Sequence, residues 1–243
     1  MLEGPDLVVA ALEAQHPVEA VYFEAAALAH ERSAAALALA ARSGVRVVEL
    51  AAGVLQKVSD AVTPQPVSAV ASRVEVAIDE LAAGGVVLVL DDVRDPGNLG
   101  TAIRAADAAG AAGVVVTGQS VDVDNPKALR ATAGSAFHVP ICVVGALEEA
   151  VGVLRTQGRA VLGAVVHGGA PLFSAPLPTP AAVVVGGEAR GLDPALVATL
   201  DGAVTIEMAG RAESLNVGVA AALVCFEWQR RVSDAPRAPA PTI

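Results

Sequence analysis

The chain has little of three things that often announce a function. Aromatic residues make up 2% of its 243 residues, although 54% are hydrophobic by a broad count. Ala and Val dominate the apolar content, which suits helices packed on a largely parallel sheet. There are two cysteines, Cys142 and Cys225. Neither belongs to a CxxC pair or has a histidine at metal-ligand spacing, so no metal site is expected. Both lie in apolar surroundings and are expected to be free, buried thiols of a reducing compartment. No apolar run reaches the roughly 18–20 residues that cross a bilayer. The amino-terminal stretch MLEGPDLVVAALEAQ lacks a basic region followed by a small-residue cleavage site, so a cytoplasmic location without a membrane partner is the expectation.

Positive charge is scarce as well. The chain has 16 Lys+Arg against 26 Asp+Glu, a formal net charge of −10. Proteins that hold nucleic acid chiefly by its phosphates usually carry a basic face. The deficit is spread along the chain: residues 1–75 hold 5 basic and 9 acidic residues, which leaves 11 and 17 for residues 76–243. A local cluster of Arg94, Arg104, Lys127 and Arg130 is still able to form a positive pocket in an acidic protein. A GxGxxG turn after a strand, with an acidic residue about twenty positions on, is absent, which argues against a nucleotide-dependent dehydrogenase.

Residues 1–50 read as a small α/β unit. Helical spacing runs over Pro5–Gln15, a strand over Val18–Phe23, an Ala-rich helix over Ala25–Ser43 and a strand over Val45–Leu50. Gln56–Ser72, with two prolines, reads as the edge of this unit plus a connector. A boundary falls near residues 73–84, giving domains of 1–75 and 76–232. From Val86 the pattern alternates. Strands are predicted at Val86–Leu90, Gly113–Thr117, Val139–Val144, Ala160–Val166, Ala181–Val185 and Ala203–Ile206. Helices are predicted at Asn98–Ala109, Asn125–Ala133, Ala146–Gln157, Pro194–Thr199 and Ser214–Arg231. Short apolar strands separated by helices imply a parallel sheet covered on both faces. The Gly- and Pro-rich loop Gly168–Pro180 either serves a site or wraps the sheet edge. The Pro/Ala-rich tail, residues 233–243, reads as disordered.

Three segments carry the chemistry, each a strand followed by a Gly-rich turn that presents polar side chains. In the first, LDDVRDPGNLGTAIRAADAAG, Asn98 is a good N-cap for the helix that follows. Arg104 lies six residues further on, among alanines. In the second, VVVGGEARGLDPAL, adjacent Gly186 and Gly187 let a ligand approach the backbone, and Gly191 can take a positive φ. In the third, IEMAGRAESLNVGVAAALVCFEW, Ser214 suits an N-cap, while Asn216 falls inside the first turn, where an amide has no advantage. A fourth stretch, NPKALRATAGSAFHVP, contains His138 beside Phe137, an arrangement that fits packing better than catalysis.

Together these segments resemble the three motifs of the SpoU (TrmH-like) branch of the SPOUT RNA 2′-O-ribose methyltransferases, over residues 86–231. Asn98 and Arg104 match the first motif. Gly186, Glu188 and Gly191 match the GxExxG of the second, and Ser214–Leu215–Asn216 the SLN of the third. Asn125–Pro140 is similar to a further family segment, and Thr63–Pro64–Gln65 to the TPQG of many relatives. Residues 1–75 more loosely resemble the small α/β substrate-binding domain that precedes the catalytic domain in many members. Relatives usually carry a basic segment of some twenty residues before the counterpart of Leu2–Glu3–Gly4–Pro5.

The resemblance implies a mostly parallel sheet with helices on both faces and a deep trefoil knot, a topology no sequence pattern would suggest. It implies S-adenosylmethionine (AdoMet) as cofactor, with Gly186, Ile206 and Leu215 lining its site and Gly187 and Met208 nearby. It implies methyl transfer to a ribose 2′-hydroxyl in RNA, ribosomal more than transfer RNA, by a homodimer. Arg104 is then the essential catalytic residue, with Asn98, Glu188, Ser214 and Asn216 orienting it, the ribose and the loops. The acidic balance predicts modest, salt-sensitive RNA affinity. The competing reading is a non-catalytic RNA-binding or ribosome-assembly factor that keeps the fold.

Overall fold

The computed structural model describes residues 1–59, 64–188 and 190–234. The chain opens with β1 (Leu2–Glu3), α1 (Pro5–Glu13) and β2 (Val18–Glu24). A 3-10 turn (Ala25–Ala29) then leads into α2 (Glu31–Arg42), β3 (Arg46–Leu50), α3 (Val54–Val58) and β4 (Val67–Ala71). These strands form one sheet in the order β1-β4-β2-β3. Two expectations are corrected here. The Ala-rich stretch is not one helix: it breaks at His30, whose backbone is extended (φ −110°, ψ 120°), because burial of Ala27 in the core overrides the helical preference of Ala25–Ala29. Residues of Gln56–Ser72 are not an edge either. β4 lies inside the sheet, antiparallel to both β1 and β2, with Val67, Ser68 and Ala69 buried. Thr63 of the TPQ-like stretch lies outside the described residues.

The second sheet follows the predicted alternation. Its elements are β5 (Val86–Asp91), α4 (Pro96–Ala108), β6 (Gly113–Thr117), α5 (Pro126–Thr132), β7 (Ile141–Val143), α6 (Leu147–Thr156), β8 (Ala160–Ala164), β9 (Ala170–Pro171), β10 (Ala181–Gly186), α7 (Pro194–Val197), β11 (Gly202–Thr205) and α8 (Val217–Asp234). The strand order is β7-β6-β5-β10-β8-β11-β9, and every pairing is parallel. β9 is an unforeseen short strand within the Gly168–Pro180 loop. α8 runs on through Asp234, so the first two residues of the predicted tail are helical; residues 235–243 lie outside the described residues.

β5 shows why the sheet is parallel and covered. Val86 to Leu90 are all buried, a continuous apolar run with two faces to fill. Leu88 and Leu90 join a core with Leu99, Ile103 and Cys225 from α4 and α8, while Val87 and Val89 join another with Leu147, Val151 and Leu154 from α6. The first of these cores also takes in Leu7, Val8, Val21 and Val67, so the two sheets share one apolar interior. Burial pushes both thiols, Cys142 and Cys225, up to about 12, as inert core groups.

Small residues set how closely the helices of this core approach. A Cβ at Gly100 on α4 would fall 2.4 Å from the Ala131 Cβ of α5, and one at Gly218 on α8 would fall 2.9 Å from Thr101 of α4. α4 is thus held between α5 and α8, and the first turns of α4 and α8 lie side by side. The Gly168–Pro180 loop wraps the sheet edge along α8. Trp228 Nε1 donates to the Pro178 carbonyl (3.1 Å) and Arg231 to the carbonyls of Leu172 (2.9 Å) and Ala175 (2.5 Å).

Candidate active site

The first turns of α4 and α8 are built differently from the sequence expectation. Asp95, not Asn98, caps α4: its Oδ1 accepts from the Asn98 N–H at 2.9 Å, and Pro96 occupies the first helical position. Aspartate before Pro is a strong helix-start signal that the alternative cap at Asn98 obscured. Its effect is to leave the Asn98 side chain free. Ser214 does not cap α8 either. Asn216 does so, its Oδ1 accepting from the N–H of Gly218 (2.9 Å) and Val219 (3.3 Å) while its carbonyl accepts from Ala220 (2.9 Å). The amide that looked out of place inside a helix is the cap itself.

The two asparagines meet. Asn216 Nδ2 donates to Asn98 Oδ1 at 2.8 Å, and Asn98 Nδ2 donates to Glu188 Oε1 at 2.6 Å. The direction of this run is fixed at both ends. Backbone N–H groups at the start of α8 require the oxygen of Asn216, and the carboxylate of Glu188 requires a donor from Asn98. Neither amide can flip without losing bonds on both sides.

Glu188, Asn216 and Ser214 also line a cleft of about 420 Å³ at the carboxyl ends of β8, β10 and β11. Gly186, Gly187, Ile206, Met208 and Leu215 all line it. Ligands of open parallel sheets bind at such an edge, where the strand order changes direction. The glycines contribute otherwise than expected. A Cβ on Gly186 would lie 2.4 Å from the Gly191 carbonyl carbon, and one on Gly187 would lie 2.1 Å from the Asp92 carbonyl oxygen. The missing side chains therefore make room for the chain's own loops rather than for a ligand. Gly191 does take the left-handed conformation, at φ +61°.

Arg104 stands apart from this group. It is exposed on α4, does not line the cleft, and has no hydrogen-bond or ion-pair partner among the described residues. The basic cluster does not form one pocket. Arg94 lies 4.0 Å from Asp92, Lys127 lies 3.9 Å from Asp95, and Arg130 is bound to the buried Glu3. His138 is not packed on a strand: it follows the 3-10 turn Ser135–Phe137, half-exposed, with Nδ1 3.4 Å from Asp107. Glu75, Asp122 and Asp124 are grouped closely enough to hold a cation, but Arg73 already pairs with all three. Thr101 and Asp92, which set the α4–α8 contact and the seat of Gly187, carried no signal in the sequence, because both act through shape.

Residues 85–226 match the model of the SpoU rRNA methylase family. The chain belongs to that family. Residues 1–69 match the MRM3-like substrate binding domain. Among relatives of this SpoU protein, RlmP of Bacillus subtilis (strain 168), a 23S rRNA (guanosine(2553)-2′-O)-methyltransferase, is 39% identical over 184 residues, 76% of this chain and 73% of RlmP. The solved structure of AviRb from Streptomyces viridochromogenes, a SpoU methyltransferase in complex with AdoMet, superposes with a TM-score of 0.82 at 27% identity, covering 96% of this chain and 90% of that one. An AdoMet-bound rRNA methyltransferase from Sinorhizobium meliloti gives a TM-score of 0.79 at 30% identity, over 95% and 86% of the two chains.

Proposed function

We propose that this SpoU protein transfers a methyl group from AdoMet to a ribose 2′-hydroxyl of ribosomal RNA. The observation that carries the reading is the fixed run Glu188–Asn98–Asn216 at the lip of a cleft walled by Gly186, Ile206, Met208 and Leu215. The cleft lies within the ordinary range of small-ligand pockets, roughly 300–1,000 Å³. Its walls are apolar (Val204, Ile206, Leu215, Val217) and its lip polar (Glu188, Ser214, Asn216), which suits a ligand with a flat base at one end and charged groups at the other. The assignment to ribosomal RNA follows the activity of RlmP.

Bound AdoMet supplies an electrophilic methyl group on a good leaving sulfur. What remains for the protein is to hold the hydroxyl in line, stabilise the charge that develops on its oxygen, and let its proton go. A guanidinium group offers donors and no acceptor, so Arg104 acts as a positioner and electrostatic stabiliser, with a phosphate oxygen or water taking the proton. Because Arg104 lies outside its own chain's cleft, its action is assigned across a homodimer. α8, which packs along α4, exposes Val219 and Phe226 seven residues apart, as an interface helix does. The trefoil knot belongs to the same proposal: β10 enters the sheet between β5 and β8, and Gly187 at its end packs against the backbone of Asp92. So do the division into domains of residues 1–75 and 76–232 and a cytoplasmic location.

Calorimetric titration of the protein with AdoMet, followed by methylation of ribosomal RNA with mass-spectrometric location of the product, tests the proposal. Binding in the micromolar range and a 2′-O-methylated nucleotide are expected. No heat at about 1 mM AdoMet together with no methyl incorporation would establish the non-catalytic binding factor instead.

A further inference from the structure

Among the described residues, three that are not glycine take the left-handed conformation: Gln15, Asp92 and Ala133, with φ of +57°, +56° and +51°. Gln15 and Ala133 end α1 and α5, where a left-handed residue is a common way to stop a helix. Asp92 ends no helix. It follows β5 directly, and Asp95 caps α4 shortly after it. Aspartate accepts this conformation more readily than most side chains, but such a residue persists only where its surroundings hold it.

The loop after β6 is what holds it. The Asp92 N–H donates to the Thr117 carbonyl (3.3 Å), and Asp92 Oδ1 accepts from the Gln119 N–H at 2.6 Å. Gly118 leaves room for that carboxylate, since a Cβ there would stand 2.7 Å from Asp92 Oδ1. Val93 is bonded to the same loop, its N–H donating to Ser120 Oγ (3.0 Å) and its carbonyl accepting from Val121 (2.9 Å). These bonds fix the direction of the Asp92 carbonyl, the atom that leaves no space for a methyl group on Gly187. Glu188 comes next in the chain, and it accepts from Asn98 at 2.6 Å. Both partners of that bond are therefore placed from one clamp: Glu188 through Gly187, and Asn98 through the turn from Val93 to Asp95. Asp92 does not line the cleft, and its side chain is 45% exposed, so its removal opens no cavity in the core.

We propose that Asp92 is a positioning residue for methyl transfer, acting from outside the cleft through Gly187 and Glu188. Its bond to Gln119 holds the left-handed turn, the turn fixes the seat of Gly187, and the seat keeps Glu188 within reach of Asn98. This role rests on the methyltransferase reading above and adds a residue that the reaction needs but the cleft does not contain. A misplacement of about 1 Å at a positioned group costs on the order of 100-fold in rate, so a seat loosened at one remove should cost about ten-fold.

The test uses the full chain and two readouts: methylation kinetics on ribosomal RNA, and NMR of the Asn98 side-chain amide protons, which a bond to the Glu188 carboxylate shifts downfield. Asp92→Ala lacks both the acceptor for Gln119 and the tolerance of a left-handed turn. It should lower kcat about ten-fold, leave KM for RNA within about two-fold, and move the Asn98 signal towards that of a free amide. Asp92→Asn keeps an acceptor and tolerates the turn, so it should restore both rate and signal. In a Glu188→Ala background, Asp92→Ala should cost nothing further. A full additional loss in that background, an Asp92→Asn variant as slow as Asp92→Ala, or an unmoved Asn98 signal would overturn the proposal. Should Asp92→Ala fail to fold, Asp92→Gly meets the left-handed φ without strain and lacks only the tether, and the same loss is expected of it. Should wild type methylate no RNA, the methyltransferase reading fails while the Asn98 signal still reads the seat.

Discussion

Around the cleft, helices begin on side chains that close their first turns: Asp95 for α4, Asp193 for α7 and Asn216 for α8. At the small sheet, on the other side of the shared core, α1 and α2 begin without such a side chain. The difference separates two uses of the same feature. A capped helix end has its donors satisfied within the chain, so it can fix neighbouring polar groups such as Asn98 and Glu188 in advance of the reaction. An uncapped end leaves its donors to solvent and to the acidic side chain of its own first turn, Asp6 in α1 and Glu31 in α2. One region is closed by fixed bonds and the other by charge alone.

The comparison breaks most severely at the residues that the proposed function assigns to the reaction and to the cofactor. Arg104→Ala should lower methyl transfer by at least about 100-fold, the scale of a lost transition-state stabiliser, with AdoMet affinity kept within about two-fold. Full activity in that variant would remove Arg104 from the mechanism. Leu215→Arg should do the reverse and abolish AdoMet binding by filling the cleft, read by the same calorimetric titration. Gly187→Ala comes next. Its added methyl would stand 2.1 Å from the Asp92 carbonyl oxygen, a backbone atom that cannot swing aside. Cofactor affinity should fall well over ten-fold while the small sheet is untouched. Normal affinity would mean that the loops are free to separate.

These loops also show how far the sequence was readable. The parallel sheet was plain because β5, β6 and β10 are buried runs of Val and Leu between helical patterns, and local composition decides such elements. The residues gathered at the cleft were plain because they resemble family motifs, not because spacing alone placed them. What escaped depended on tertiary packing. The break at His30, the burial of β4 inside its sheet and the seat of Gly187 on Asp92 are each imposed by a distant partner. So is the removal of Arg130 from the expected basic cluster, which Glu3 accomplishes from the far end of the chain. Asn216 was misread for a subtler reason: an N-cap and a helix interior position differ by one or two residues, within the error of any boundary drawn from sequence.

The polarity of the Asn216–Asn98–Glu188 run can be inverted on paper, which sharpens the comparison further. Asn98→Asp keeps an acceptor for Asn216 Nδ2 but sets a carboxylate against Glu188, so it should cost more activity than Asn98→Ala, by about ten-fold or more. Adding Glu188→Gln places a donor opposite the new carboxylate. The double variant should therefore recover a substantial part of what Asn98→Asp lost, although Glu188→Gln alone is damaging. Additive losses in the double variant would show that Glu188 works on the substrate directly and that its bond to Asn98 is incidental.

The smallest effect belongs to the opposite end of α8, where ion pairs help to hold the helix. Glu227 is buried and accepts from Arg230 and Arg231, and Arg231 also ties down the loop after β9. The bond from Arg230, with that from Arg231, holds the Glu227 carboxyl down at about 2, below its ordinary 4.5. A carboxylate whose value is lower folded than unfolded stabilises the fold above its unfolded value, and that contribution is lost as pH falls through the folded one. Glu227→Gln should therefore melt below wild type at pH 7, and the gap should close as the pH is lowered from about 4.5 towards 2. A gap that stays constant over that range would assign the loss to packing at α8 instead of charge. AdoMet affinity at neutral pH should not change, since the capped first turn of α8, not its strapped far end, shapes the cleft.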